Sequence, residues 1–119
     1  MKLRKKFDEI AMLELFYTEP KIANSADGYW CYEVTDELDT TLRFGIDLIQ
    51  QSVQIDLKVS HLSIVTFTFE LVEAIEIIDA AKGKFAFAVV PKSQDLQTKV
   101  QIELRPHIKV EGYTLKTSY

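Results

Sequence analysis

Glycine, proline and cysteine are all scarce in this chain of 119 residues, which has four, three and one of them. The four glycines, Gly28, Gly45, Gly83 and Gly112, lie too far apart to build the phosphate-binding loop of a P-loop or Rossmann site. The single cysteine, Cys31, excludes an internal disulfide framework and agrees with a reducing compartment. Its neighbours include an acid, which would not activate a thiolate, so we predict an inert, semi-buried thiol.

Long hydrophobic runs are also missing. No segment approaches the roughly 18 apolar residues that a membrane helix needs. The basic start MKLRKK is followed at once by FDEI, where a signal peptide would continue with an apolar segment. We therefore expect a cytoplasmic protein with no membrane partner. At 119 residues the chain is predicted to be a single domain, residues 1–119, with its own core.

Motifs for catalysis and metal binding are absent as well. The two histidines, His61 and His107, have no H-x-x-x-H spacing, and both are predicted to be surface residues. No G-x-S-x-G motif occurs, and no Cys–His pair is close in sequence. The acidic stretch 36–39, DELD, lacks the spacing of a calcium loop and favours a solvated turn. We predict no catalytic residue, no metal site and no cofactor.

Charge is plentiful but unevenly distributed. The net charge is −4, yet residues 1–6 carry four bases and no acid, and residues 7–80 carry fifteen acids against three bases. Residues 81–119 carry seven bases against three acids, so the three balances are +4, −12 and +4. The basic stripe of a nucleic-acid-binding protein is missing. An acidic field favours a cationic protein partner, although most acidic surfaces are simply solvated.

Alternation of apolar and polar residues dominates the chain after about residue 28. This period of two predicts half-buried antiparallel strands. The alternating segments are 30–35, 41–48, 52–59 and 100–110. Pro106 lies inside the last segment and predicts a bent strand at a sheet edge, because proline has no donor for the ladder.

Two further segments predict how the strands connect. Residues 84–90, KFAFAVV, are apolar at both parities and predict a central strand. Gly83 supplies the positive φ of the hairpin turn before it. Residues 19–28, EPKIANSADG, are predicted to be a loop.

The segment 66–79, TFTFELVEAIEIID, combines two patterns. Its acids recur every third residue, which a helix would place on a slowly drifting stripe. Val, Ile, Thr and Phe dominate the segment, however, and they prefer a pleated strand. We predict one long strand, or two strands joined by a bulge near residues 70–73, passing from one sheet to the other. The acids would then lie on the solvent side.

Together these patterns predict an all-β fold of about seven strands, either an antiparallel β-sandwich or a partly open barrel. Residues 6–17, KFDEIAMLELFY, fit a strand or an amphipathic helix with Phe7, Ile10 and Tyr17 on one face. We favour one short N-terminal helix. The oligomeric state stays open, with edge-to-edge pairing of peripheral strands as one route to a dimer.

The segments DGYWCYEV, TLRFGIDLIQQSVQIDL, TFTFELVEAIEII and VQIELRPHIKV together resemble the small all-β immunity proteins of bacteria. These proteins accompany polymorphic toxins, including those of contact-dependent growth inhibition. The resemblance extends from Asp27 to Leu115 and lies in size, strand succession and acidity. It implies a non-enzymatic protein that neutralises a cognate toxin, such as a nuclease domain, in the cytoplasm of the producing cell.

We expect the contact surface to consist of acids with one aromatic anchor. Trp30 and Tyr32 share the parity of Val34 and are assigned to the core, which leaves Tyr29 as the anchor. The predicted partner-binding residues are Tyr29, Asp36, Glu37, Asp39, Glu70, Glu73 and Glu76.

Two alternatives belong to other functional classes. A carbohydrate- or small-ligand-binding sandwich would have a concave pocket lined by aromatic residues. A small hydrolase would have two facing carboxyls, for which Glu70 with Glu73 or Glu76 is the candidate pair.

Overall fold

The computed structural model describes residues 7–89 and 96–116. These residues form one α-helix, nine strands and a short 3₁₀ turn. In chain order they are α1 (Glu9–Phe16), β1 (Ile22–Asn24), β2 (Tyr29–Thr35), β3 (Thr40–Asp47), β4 (Ser52–Val59), β5 (Leu62–Phe69), β6 (Val72–Asp79), the 3₁₀ turn (Ala80–Lys82), β7 (Lys84–Val89), β8 (Leu96–Glu103) and β9 (Lys109–Lys116).

The strands form two antiparallel sheets that are not closed into a barrel. Sheet 1 has the order β1-β2-β3-β4-β5, and sheet 2 has the order β6-β7-β8-β9. Every described pair is antiparallel. The predicted all-β class is confirmed, with nine strands in place of about seven among the residues described.

The segment 66–79 forms two strands rather than one long strand, and both arrangements were among the predictions. β5 ends at Phe69 in sheet 1 and β6 begins at Val72 in sheet 2, so Glu70 and Leu71 form the crossover. The backbone N–H of Val72 donates to the carbonyl of Gln51, 2.9 Å away, which fixes the crossover to the turn between β3 and β4. Leu71 has a φ of 59°, a left-handed conformation that lets the chain turn sharply.

Bulges explain how a strand carries acids at every third position. The register of β6 against β7 shifts between Val72 and Ile75 and again between Ile77 and Asp79. Ile77 pairs with buried Phe85, whereas Asp79 pairs with Lys84 on the other face. A bulge adds one residue and so reverses the facing of everything after it. The threefold spacing therefore fits a bulged strand as well as a helix.

The core lies between the two sheets and is rich in aromatic rings. Phe44 of β3 meets Phe85 of β7 edge-on, with ring centroids 5.2 Å apart. Trp30 and Tyr32 are buried, which confirms their assignment to the core. The predicted central strand is also confirmed, since β7 lies between β6 and β8; residue 90 lies outside the described residues.

The helix predicted over residues 6–17 is confirmed for Glu9–Phe16, but its buried face is different. Asp8 caps the N-terminus by accepting from the N–H groups of Ile10 and Ala11. The predicted face of Phe7, Ile10 and Tyr17 is wrong for Ile10 and Tyr17, which are exposed; Phe7 precedes the helix and packs on Trp30, with ring centroids 4.9 Å apart. The residues that pack on the core are Met12, Leu15 and Phe16.

Arg105 fastens this helix to the end of β8. Its Nη1 donates to the Leu15 carbonyl at 2.9 Å, and its Nε and Nη2 donate to the carbonyls of Ala81 and Ala80 at 3.0 and 2.7 Å. The guanidinium also lies 3.8 Å from the ring centroid of Tyr17. One side chain thus joins the C-terminus of α1, the 3₁₀ turn and sheet 2.

Two local predictions are wrong. The predicted loop 19–28 contains β1, whose three residues pair with Tyr29–Cys31 and are too few to show an alternation. The segment 100–110 is two strands rather than one bent strand, because Pro106 lies in the connection between β8 and β9. Gly83 has the predicted positive φ, 60°. None of the described helices is long and apolar enough to cross a membrane.

Candidate partner-binding surface

The first group of predicted acids lies in the turn between β2 and β3. Asp36 is the hub of that turn, because its Oδ1 accepts from the N–H groups of Leu38 and Thr40, both at 3.0 Å. Its Oδ2 accepts from the N–H of Ile108 at 2.8 Å, in the connection that leads to β9. The carboxylate of Asp36 therefore ties the turn to sheet 2.

These bonds change the acidity of Asp36. Burial by itself would raise the pKa of this carboxyl, but the three backbone N–H donors and the nearby charge of His107 outweigh burial and lower it. Glu37 and Asp39 are exposed beside it. Asp39 has a φ of 61° and its carbonyl accepts from the N–H of Ser60, which holds the neighbouring β4–β5 turn.

The second group of predicted acids is at the other end of sheet 1 and along β6. β5 starts at Leu62, beside Val59, and ends at Phe69, beside Val53. Glu70 follows at that far end and is exposed, while Glu73 and Glu76 continue along β6. The structure thus separates the predicted acids into a turn group and a crossover group.

Tyr29, the predicted anchor, lies on the outer face of sheet 1 and is only half-exposed. A Cβ on Gly45 would be 2.7 Å from the Tyr29 hydroxyl, so the ring needs the glycine beneath it. Burial raises the pKa of Tyr29, and the neighbouring Cys31 adds to the shift. Cys31 is fully buried, where a semi-buried thiol was expected, and Arg43 Nε donates to its Sγ at 3.0 Å.

An apolar groove opens where the two sheets diverge, and the sequence analysis missed it. Its volume is about 470 Å³, within the range of roughly 300–1,000 Å³ of ligand pockets. Phe67 is 44% exposed there although its partner in β4, Ile55, is buried. The alternation of β5 predicted which face points inward. It did not indicate that sheet 2 leaves part of that face uncovered. The lining residues are Leu57, Phe67, Phe69, Thr98, Val100, Val110, Gly112, Tyr113 and Thr114.

A second depression, of about 440 Å³, lies on the outer face of sheet 2 and includes Glu73 and Glu76. Its floor is formed by the small residues Ala86 and Ala88, across which Lys99 Nζ reaches Glu76 Oε2 at 4.0 Å. Glu76 thus has a cation beside it. His61 and His107 are exposed as predicted. Over residues 7–89 and 96–116, no group of three or more His, Cys, Asp or Glu side chains could hold a metal ion.

Comparison with known proteins gives one informative match. No family model matches the chain, and no curated protein does. Among solved structures, the chain is similar to a chain of the "Contact-dependent growth inhibition toxin - immunity protein complex from Klebsiella pneumoniae 342". The TM-score is 0.82, the identity is 20%, and the alignment covers 92% of this chain and 96% of the other. The resemblance stated from sequence is therefore confirmed at the level of the fold.

Proposed function

We propose that this chain is an immunity protein of the contact-dependent growth inhibition type. It binds and neutralises a cognate toxin domain in the cytoplasm of the producing cell and catalyses no reaction. The observation that carries the proposal is the near-complete structural match to a chain of a toxin–immunity complex. That match shows that the chain has the fold of one member of such a complex. The choice between the toxin role and the immunity role rests on the charge of the chain.

The acidity of the chain supports the inhibitor role. The balance of −12 over residues 7–80 complements a cationic partner. A nuclease toxin needs cationic side chains to hold nucleic-acid phosphates. An acidic inhibitor that covers those side chains associates rapidly because the opposite fields attract. A nuclease domain is thus the kind of toxin that the chain fits best.

The proposed contact surface uses the exposed acids of both groups. Glu37 and Asp39 extend from a turn that Asp36 has already shaped, so Asp36 positions the turn. The crossover group, Glu70, Glu73 and Glu76, lies on another part of the surface. Tyr29 would add an aromatic contact at the outer face of sheet 1.

Growth of cells tests the proposed role directly. A candidate toxin domain, taken from a large secreted protein whose gene neighbours that of this chain, is expressed in a test strain with and without the chain, and the chain is also expressed alone. We expect the toxin domain to stop growth, the pair to restore it, and the chain alone to leave growth unchanged. Growth arrest by the chain alone would assign it the toxin role, and failure to rescue would contradict the proposal.

Association kinetics test the acidic surface. Three variants each change the charge by +3: E37K/D39N in the turn group, E70K/E76Q in the crossover group, and E14K/E19Q as a control on and after α1. We expect whichever group contacts the toxin to lose about tenfold in association rate at low salt, and the control to change little. Rates that are equal in all variants and insensitive to ionic strength would contradict an acidic contact surface.

The apolar groove supports a second candidate, the binding of a small apolar ligand. Aromatic and aliphatic side chains line it, and its volume suits a drug-sized molecule. Screening an apolar fragment library by NMR would test this candidate. Saturable shifts at Phe67 and Tyr113 that are lost in F67A would support it, and shifts scattered over the surface would contradict it.

A further inference from the structure

Among the strands that the structure describes, four lie at sheet edges, and three of these carry a feature that disfavours pairing with another chain. β1 has only three residues. β6 carries Glu73, Glu76 and Asp79, and β9 carries Lys109, Glu111 and Lys116. Short length and charge are the usual protections of a sheet edge. These three edges are therefore poor templates for strand addition.

The fourth edge, β5, has no such protection. Its eight residues, LSIVTFTF, include no charge, proline or glycine, and they are rich in residues that favour strands. They lie within residues 59–69, the longest uncharged stretch of the chain. Leu62, Ile64 and Phe67 are 72, 59 and 44% exposed. In the described part of the chain, β4 is the only strand that pairs with β5.

Charge favours a second copy of this chain as the partner that pairs with the β5 edge. Two copies that met through most of residues 7–80 would oppose acid to acid, because this region has a balance of −12. At β5 they would meet without like charges, and a two-fold axis makes the contact self-complementary. A cationic toxin, in contrast, gains nothing electrostatically from an uncharged strand.

The register of β5 against β4 indicates which residues of β5 would pair with a second copy. The bulge between β4 and β5 lies at Leu57 and Lys58, so β5 is regular from Val65 to Phe69. Paired residues in antiparallel strands share a face, and Val65, Phe67 and Phe69 share the inward face of their β4 partners, of which Val53 and Ile55 are buried and Leu57 is half-buried. A two-fold axis at Phe67 thus sets Phe67 against Phe67, and Thr66 of one copy against Thr68 of the other.

We propose that β5 is a homodimer interface, where two copies pair antiparallel over residues 65–69 into one continuous sheet of ten strands. The pairing satisfies the free backbone groups of both edges and covers Phe67. Aromatic, β-branched and Thr–Thr pairs of this kind are favourable across strands. This inference does not depend on the toxin, since it concerns the chain by itself.

Analytical ultracentrifugation of the full chain tests the proposal with a matched pair of variants. T68K puts a lysine on the edge strand, and Q54K puts the same lysine directly opposite on internal β4, on the same exposed face. We expect a wild-type dimer, a dissociation constant weakened by about tenfold or more in T68K, and little change in Q54K. Circular dichroism and thermal melting check that both variants fold.

Three results would overturn the dimer. One is a wild-type chain that stays monomeric up to millimolar concentration. Another is an equal loss of association in T68K and Q54K, which would place the contact elsewhere. The third is a monomeric wild type whose toxin binding is weakened by T68K alone, which would make β5 a docking edge for the toxin. Toxin binding that fails in every variant would contradict the proposed function and leave the dimer measurement intact.

Discussion

β5 and β6 are consecutive strands of equal length, and each lies at the edge of its sheet, but the two edges differ in charge. β5 has no charged residue, whereas β6 carries three acids among its eight residues. Both contain many strand-forming residues, Thr and Phe with Val and Ile in β5 and Val and Ile in β6, so strand propensity does not distinguish them. Acids on β6 keep an exposed edge from pairing, and their absence from β5 leaves an edge that pairs readily.

The comparison also assigns different uses to the acids. Those on β6 lie along a sheet edge, where Asp79 accepts from the N–H of Lys82 and Glu76 has Lys99 beside it, whereas Asp36 in the β2–β3 turn accepts from three backbone donors. A count of acids along the sequence does not distinguish the acids at a sheet edge from the acid that is bonded within the fold. Stability measurements separate them, because only an acid that is bonded within the fold should matter to unfolding.

The largest expected effect comes from the buried start of β6. Val72 is fully buried, and Val65 of β5 is half-buried and pairs with Leu57, which lines the open groove. We expect V72A to lower the free energy of unfolding by about 2–3 kcal/mol, since two buried methyl groups are lost and a cavity remains. V65A, the matched change, should cost about 1 kcal/mol or less. Urea unfolding measures both, and equal losses would show that the groove is closed in solution.

The next effect concerns the bonded acid. D36N should cost about 1–3 kcal/mol at neutral pH, because the amide leaves one of the backbone N–H groups without its acceptor. The folded state lowers the pKa of Asp36, so its stabilisation is complete above the ordinary value of about 3.9 and is lost as pH falls through that region. Urea unfolding from pH 7 to pH 2 should give a wild-type curve that approaches the D36N curve in acid. A constant gap would contradict this role.

The smallest effect on stability is expected for the edge acids. E70Q/E76Q should change the free energy of unfolding by no more than about 0.5 kcal/mol, because both side chains are exposed and the Glu76–Lys99 pair is long. Light scattering at increasing protein concentration should nevertheless show more association, since the double change neutralises one of the three acids of β6 and the acid that precedes the strand. Unchanged scattering would mean that other features protect this edge.

Much of the fold is readable from the sequence because one physical signal runs through it. Alternation locates β2, β3 and β4, where one face is buried and the other is partly accessible to solvent. The change of sheet between β5 and β6 is also predictable, because strand formers continue while the parity changes near Glu70. β1 escapes detection because three residues cannot display a period, and its position is set by pairing with β2.

The site is less predictable, since neighbours distant in sequence decide it. The sequence does not distinguish Asp36 from other acids in turns, because its donor Ile108 comes from the distant connection between β8 and β9. Phe67 looks like a core residue, and only the divergence of the two sheets exposes it. The sequence does contain one signal for β5, its long uncharged stretch, which a search for acids passes over.

The bond between Arg105 and the Leu15 carbonyl joins residues 90 positions apart. A ribosome releases α1 early, yet the donor that holds its C-terminal end emerges only after most of both sheets has been made. Closing so long a loop is entropically costly and slow, so the helix should be among the last parts to become fixed. A nascent chain stopped before Arg105 would thus carry a complete sheet 1 on which Phe16 can pack, but without the side chain that holds the C-terminal end of α1.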